Sequence, residues 1–210
     1  MGVQAGRDAF KDRMNVSRET MERLDIYEAL LKKWNPAINL VGKSTLDDVW
    51  TRHFLDSAQV LDIGGRQTGH WVDIGTGGGF PGVVVAAMAV DAAPKMQFTF
   101  VDSDLRKATF LRTVTRELGL NATTNAERIE ALPPLNADIL SARALAPLSK
   151  LLGYAALHLK PDGRTIFMKG GSFRNEVTES LEKWSYRSDE YSSFTDGSSV
   201  ILSCGEIRRV

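Results

Sequence analysis

In the first third of the chain, apolar residues recur at helical spacing. Met21, Leu24, Tyr27, Leu31 and Trp34 follow one another at intervals of three and four, which predicts an amphipathic helix over residues 18–34. Ser17 stands at the N-cap position, and Asn35-Pro36 is expected to end the helix because a residue before proline disfavours helical backbone. A second helix is expected over 45–63, with Leu46, Val49, Trp50, Phe54, Ala58 and Leu61 on one side. Gly64, Gly65 and Gly69 then mark a loop. Residues 1–16 lack such periodicity and read as a loosely held arm.

From His70 the period changes. Short apolar runs at 71–74, 98–101, 122–125, 138–141 and 165–168 predict strands, alternating with helical stretches over 81–90, 105–118, 147–159 and 174–184. Two last strand-like runs, 186–191 and 199–207, have no helix between them. This alternation predicts a mostly parallel sheet with helices on both faces, closed by an antiparallel pair at one edge. The expected architecture is a doubly wound α/β domain over 70–210, behind a helical N-terminal cap at 17–69 and the arm at 1–16.

Composition narrows the functional classes. The 26 Lys and Arg balance 26 Asp and Glu, and no third of the chain is lopsided: ten cations against ten anions in 1–70, six against eight in 71–140, ten against eight in 141–210. A neutral sum excludes a protein that coats a nucleic-acid backbone but leaves room for a local basic face. The single cysteine, Cys204, excludes an internal disulfide framework or a Cys-rich zinc site and points to a reducing compartment. The N-terminus has no apolar secretory core, and the most apolar run, 80–90, stops at Asp91. Neither a signal peptide nor a membrane span is expected, and the chain reads as cytoplasmic.

Candidate chemistry concentrates in Val72-Asp-Ile-Gly-Thr-Gly-Gly-Gly-Phe-Pro-Gly82. Gly75, Gly77 and Gly79 directly follow a strand and Pro81 opens a helix, so bare backbone and free N–H groups can meet a ligand. Asp102 ends the next strand, where a carboxylate can accept hydrogen bonds from ribose hydroxyls. Gly77 to Gly82 fits G-x-G-x-x-G with Asp102 20 residues beyond, as a nicotinamide cofactor would require. Asp73 extends the motif to Asp-x-Gly-x-Gly-x-Gly. Its carboxylate suits the amino group and sulfonium of S-adenosylmethionine better than it suits a pyrophosphate. The closing antiparallel strands also favour S-adenosylmethionine. On these residues a methyltransferase leads; a nicotinamide-dependent oxidoreductase and a non-catalytic RNA-binding protein remain as alternatives.

Six segments carry a wider resemblance: Asn39-Leu-Val41, Arg52-His-Phe-Leu-Asp-Ser57, the glycine loop, Val101-Asp-Ser103, Arg143-Ala-Leu-Ala-Pro147 and Met168-Lys-Gly170. Through them, residues 27–169 resemble the RsmG family, also called glucose-inhibited division protein B, of bacterial 16S rRNA guanine-N7 methyltransferases. Gly78 departs from the small residue, such as alanine, expected there. The resemblance implies methyl transfer from S-adenosylmethionine to N7 of a guanine in the 530 loop of 16S rRNA. The rRNA would be presented in the small ribosomal subunit or an assembly intermediate, with no metal and no membrane involved. Gly75 and Phe80 would contact the cofactor, Asp102 its ribose, and Ile129 and Glu130 its adenine. Arg143 would sit over the cofactor at the sheet edge and His53 at the pocket mouth, making these two the expected catalytic residues.

Arg52 is a further expected RNA contact, and its spacing from Asp56 also allows a surface ion pair. Lys169 ends a strand and is expected beside Arg143, within reach of an RNA phosphate. His70 and His158 lack partner spacing, and Trp34, Trp50, Trp71 and Trp184 occupy core-like positions, so packing roles are expected for all six.

Overall fold

Five apolar segments pair in parallel: β1 (Thr68–Ile74), β2 (Lys95–Val101), β3 (Ala122–Asn125), β4 (Ala137–Arg143) and β5 (Leu159–Lys169). In this computed structural model, which describes residues 3–65 and 67–210, β6 (Trp184–Ser192) and β7 (Val200–Arg209) complete the sheet as antiparallel strands. The order is β3-β2-β1-β4-β5-β7-β6. Progress across the sheet reverses between β1 and β4, and ligands of such sheets bind outside the strand C-termini at that switch point.

The central strands are buried on both sides. Trp71, Ile139, Ile166 and Ile201 join one core, while their neighbours Val72, Leu140, Phe167 and Leu202 join the other, as the two-residue period of a strand dictates. The first face is covered by α5 (Gly82–Ala92) and α6 (Leu105–Glu117), the second by α7 (Leu148–His158) and α8 (Phe173–Leu181). Every residue of α5 from Val83 to Ala89 is buried, because a further layer lies outside it. That layer is α2 (Arg18–Ile38), which packs on α5 and α6. Ser17 caps α2 by accepting the Thr20 N–H. Its hydroxyl and those of Thr20 and Arg23's guanidinium converge on Asp91, near the end of α5.

Three expectations for the N-terminal third are corrected. First, α2 continues through Pro36 to Ile38. The proline lies in the last turn, where few backbone bonds are at stake, and Asn39 in left-handed conformation closes the helix with an N–H bond to Asn35 O at 3.0 Å. Second, the single helix over 45–63 is instead a run of short pieces. These are a 3₁₀ turn (Lys43–Thr45), a π-helical turn (Trp50–Leu55), α3 (Asp56–Ala58) and α4 (Val60–Gly64). The expected apolar side survives, since Val49, Trp50, Phe54 and Ala58 are all buried.

Third, of the expected arm at 1–16, residues 1 and 2 lie outside the described residues, and the rest is not loose, for it contains α1 (Val3–Met14). Phe10 has no exposed surface and meets Trp50 edge-on at 5.5 Å, while Arg7 makes paired bonds to Asp25 at 2.6 and 2.7 Å. One aromatic anchor and a close approach at Gly6 dock this helix, too few apolar residues to leave a periodic signature. In the sheet domain the predicted strands and helices all appear, with shifted ends. The largest shift is β5, which begins at Leu159 because Pro161, Asp162 and Gly163 form an irregularity within the strand rather than a loop before it. Among the described residues no helix is long and apolar enough to cross a membrane.

Replacing Phe10 by Ala removes the anchor of α1 and leaves a cavity against Trp50. The expected cost is about 3–5 kcal/mol, read as a lower denaturant midpoint. An unchanged midpoint would return residues 1–16 to the status of an arm.

Candidate active site

β1 ends at Ile74, and the chain turns at once into the glycine loop. Gly75 N donates to Val101 O at 2.8 Å, which binds the loop to the end of β2. Gly77 has φ +57°, a conformation that a side chain would strain. At Gly79 a Cβ would collide with the Tyr27 hydroxyl, which donates to Gly78 O at 2.5 Å. Tyr27, expected only as part of an apolar stripe, thus fastens the loop from the helical side.

Asp73 lies beneath the loop with no exposed surface. Ser141 Oγ donates to one carboxylate oxygen at 2.5 Å and Gly82 N to the other at 3.3 Å. Burial pushes its carboxyl up to about 7, against the lowering pull of its hydrogen bonds and of Arg143. The structure thus places Asp73, expected to face the cofactor, below the loop: it bonds β4 and the start of α5 and is not part of the cavity wall.

That cavity, of about 450 Å³, opens outside β1, β2 and β4 and is within the usual size of a small-molecule site. The structure brings Gly75, Gly77, Asp102, Ile129 and Glu130 into its wall, five of the predicted positions from three separate segments. Asp102 accepts Gly77 N at 2.8 Å on one oxygen and Asp104 N at 2.9 Å on the other, leaving each with a further lone pair. Ile129 supplies an apolar surface. Glu130 accepts the Tyr154 hydroxyl at 2.5 Å and pairs with Lys150 at 3.4 Å, and the Tyr154 bond holds its carboxyl below the ordinary value. Tyr154 and Lys150 were not anticipated. They belong to α7, and only the fold carries its first two turns to the cavity.

Gly79, Phe80 and Arg143 are not in this wall. Phe80 and Arg143 instead form a second group with His53 and Asp56 at the end of β4. The Arg143 guanidinium lies 4.7 Å from the Phe80 ring centre, and His53 stacks on the same ring at 4.8 Å. Arg143 Nη2 donates to His53 Nδ1 at 2.9 Å, and Arg143 Nη1 reaches Asp56 at 3.4 Å. Since Arg143 can only donate, Nδ1 is the acceptor and Nε2–H donates to Thr45 Oγ1 at 2.8 Å. His53 is neutral, pushed down to about 3 by burial and then by the charges of Arg143 and Arg52.

Two further expectations change. Asp56 does not pair with Arg52; its oxygens face Arg143, Gln59 and the hydroxyls of Ser193 and Thr195 from the β6–β7 turn. Arg52 is exposed, its carbonyl accepting from Arg143 at 3.5 Å. Lys169 does end its strand near Arg143, but it is nearly buried and bonded to Glu176 at 2.6 Å and Ala146 O at 3.0 Å, so it is not presented to an RNA phosphate. His158 is buried with Nε2 on Ile129 O at 3.1 Å, and His70 bonds Thr99 and Leu135 across the strand ends, as packing roles require.

A doubly wound sheet with this closing pair and a ligand cavity at the glycine loop defines a class I S-adenosylmethionine-dependent methyltransferase. A SAM-dependent methyltransferase from Aquifex aeolicus superposes at TM-score 0.57 over 84% of this chain and 96% of its own, with 16% identity. A SAM-dependent O-methyltransferase from Thermotoga maritima gives 0.55 over 74% and 66%, with 15% identity; at such identities the likeness concerns the fold. Residues 20–201 match the family described as rRNA small subunit methyltransferase G. Proteins named ribosomal RNA small subunit methyltransferase G from Ruegeria sp. (strain TM1040) and Cereibacter sphaeroides (strain ATCC 17029) are 47% and 50% identical, over 94% and 90% of this chain and 96% and 92% of theirs. The chain belongs to the rRNA small subunit methyltransferase G family, and its cofactor is S-adenosylmethionine. The nicotinamide alternative is set aside. The cavity fits this cofactor: bare loop backbone, a diol-accepting carboxylate at Asp102, an apolar wall at Ile129 and an acceptor at Glu130.

Asp102→Ala should weaken S-adenosylhomocysteine binding at least about tenfold in calorimetry, since each charge-assisted bond contributes roughly 1.5–3 kcal/mol. Unchanged affinity in a folded variant would remove Asp102 from the site. Asp73 has its own signature. Native Asp73 holds its proton to about pH 7 and an unfolded one only to 3.8, so the native state binds more protons between these values and loses stability as pH rises through them. Asp73→Asn removes that dependence, so its stability relative to wild type should grow from pH 4 to pH 7 in denaturant titrations. Parallel curves would mean that Asp73 is ionised in the native protein.

Proposed function

We propose that this protein methylates N7 of a guanine in the 530 loop of 16S rRNA, presented in the small ribosomal subunit or an assembly intermediate, in the cytoplasm. The reading rests on one observation: the group beside the cofactor cavity is built to align and not to take up a proton. The only histidine there has Nδ1 occupied by Arg143 and carries no readiness to accept a proton near neutrality. Guanine N7 suits such a site, because it offers an in-plane lone pair and has no proton to lose.

When bound, S-adenosylmethionine supplies an electrophilic methyl, the carbon–sulfur electrons staying on sulfur and the positive charge passing to the base. Gly75, Gly77, Asp102, Ile129 and Glu130 hold it. Arg143 lies at the edge between cofactor and base, its plane kept by Phe80, His53 and Asp56, so that orientation is set before the substrate arrives. Arg52, exposed on the π-helical turn, is placed for a phosphate of the RNA. His53 is thus a positioning residue for Arg143.

The test is to map 7-methylguanine in 16S rRNA from cells with and without the gene. The mark should vanish on deletion, return with wild type, and not return with Arg143→Ala. Persistence of the mark in the deletion strain would defeat the proposal. For the chemical step, single-turnover rates at saturating substrates should stay flat from pH 8 to about pH 5, because His53 is neutral throughout and Asp73, which titrates there, lies outside the cavity wall. His53→Asn should keep the flat profile at a reduced rate. A wild-type rise through pH 6–7 that the variant lacks would show a proton-accepting His53 instead.

A further inference from the structure

A second cavity, of about 360 Å³, opens past Arg143 between the ends of β4 and β5 and the start of β7. It shares Ala144, strained at φ +51°, with the cofactor cavity, so the two cavities adjoin at that residue. Its charged lining is the pair Arg143 and Asp56 on one side and, on the other, Lys169 and Glu176, whose Nζ and Oε2 are 2.6 Å apart and whose side chains are 9% and 19% exposed. Met168, Val200 and Ile201 supply apolar surface.

The pair has bonding capacity left over. An ammonium has three donors, and among the described residues Lys169 uses two, on Glu176 and on Ala146 O. Glu176 takes Lys169 and Leu148 N, at 2.7 Å, on Oε2, whereas Oε1 has only the Ser172 hydroxyl at 3.5 Å. One donor and one carboxylate oxygen, side by side, therefore remain on two residues that line a cavity. Guanine carries the matching edge, an O6 acceptor beside an N1–H donor, with N7 on the far side of O6. Adenine carries the reverse order and would meet donor with donor.

We propose that this cavity receives the target guanine, Lys169 donating to O6 and Glu176 accepting N1–H, which turns N7 across Ala144 toward the cofactor cavity. The inference rests on the methyl-transfer reading above. Lys169 then reads the base instead of the phosphate. The N7–C bond forms as the carbon–sulfur bond breaks, no proton leaves, and the base becomes a cation. Its N1–H becomes a stronger donor as this charge develops, so the bond to Glu176 tightens in the transition state and Glu176 acts on turnover more than on binding.

Small subunits reconstituted with guanine, inosine or 2-aminopurine at the target position, offered to wild-type enzyme with labelled S-adenosylmethionine, test this directly. Inosine keeps O6, N1–H and N7 and should react within about tenfold of guanine. 2-Aminopurine keeps N7 and the 2-amino group but lacks O6 and N1–H, and should react at least about 100-fold more slowly. Glu176→Gln should lower kcat at least about tenfold while KM for subunits and S-adenosylhomocysteine affinity hold. Should that variant not fold, the wild-type base series decides alone. Methylation of 2-aminopurine at the rate of guanine, or wild-type kcat in folded Glu176→Gln, would overturn the proposal. Normal S-adenosylhomocysteine binding with no label in guanine-bearing subunits would overturn the methyl-transfer reading itself, and this inference with it.

Discussion

Asp73 sits at the end of β1 with its whole side chain out of water, bonded by Ser141 of β4 and by the first N–H of α5. Trp71 completes the set, its indole N–H donating to the same Ser141 hydroxyl at 2.8 Å. These bonds join β1, β4 and α5 at the switch point of the sheet. The glycine loop can be held open only because a polar anchor lies below it. A buried carboxyl is costly unless satisfied, and here it is satisfied by groups whose positions define the cavity floor. The loop presents bare backbone to the ligand, while the acid that gives the motif its first letter works from underneath.

From that anchor the two halves of the site follow by strand order. The residue after the loop, Phe80, turns toward the helical layer, where it meets His53 and Tyr27. β4 ends in Arg143, whose guanidinium rests on Phe80 and reaches Asp56. Asp56 in turn receives Ser193 and Thr195 from the turn between β6 and β7. The N-terminal layer and the closing strands, far apart in the chain, are thereby joined at Asp56, and Gln59 adds to the link by accepting Phe194 N at 3.0 Å. This accounts for the place of the irregular 3₁₀ and π-helical turns: they carry Thr45, Arg52 and His53, and π-helical turns occur often at functional sites.

The charge balance now has a structural reading. An enzyme of RNA with equal numbers of cations and anions uses several of its cations internally. Arg143 is held by Asp56, Lys169 by Glu176 and Arg7 by Asp25, so their charge is partly neutralised where it is least hydrated. Such pairs fix the direction of a side chain at some cost in desolvation. Arg52, by contrast, stays exposed at the surface.

The alternation of short apolar runs with helices was enough to determine the doubly wound sheet, because periods of two and of 3.6 residues leave different marks on a sequence. The glycine spacing and Asp102 likewise determined the cofactor cavity, since a strand-turn-helix with that spacing has few other uses. The sequence alone did not determine which way the carboxylate of the glycine motif would turn: Asp73 points down into the sheet because Ser141 and Gly82 N wait there. Nor did it show that Lys169 meets Glu176, or that Phe10 docks α1 on Trp50, since each is a single contact between distant segments with no periodic trace. Pro36 inside α2 and the broken helix around His53 have the same cause. Local propensity sets where a helix prefers to stop, and tertiary packing of Tyr27 and Phe54 against Phe80, with Trp50 edge-on to Phe54, decides where it does.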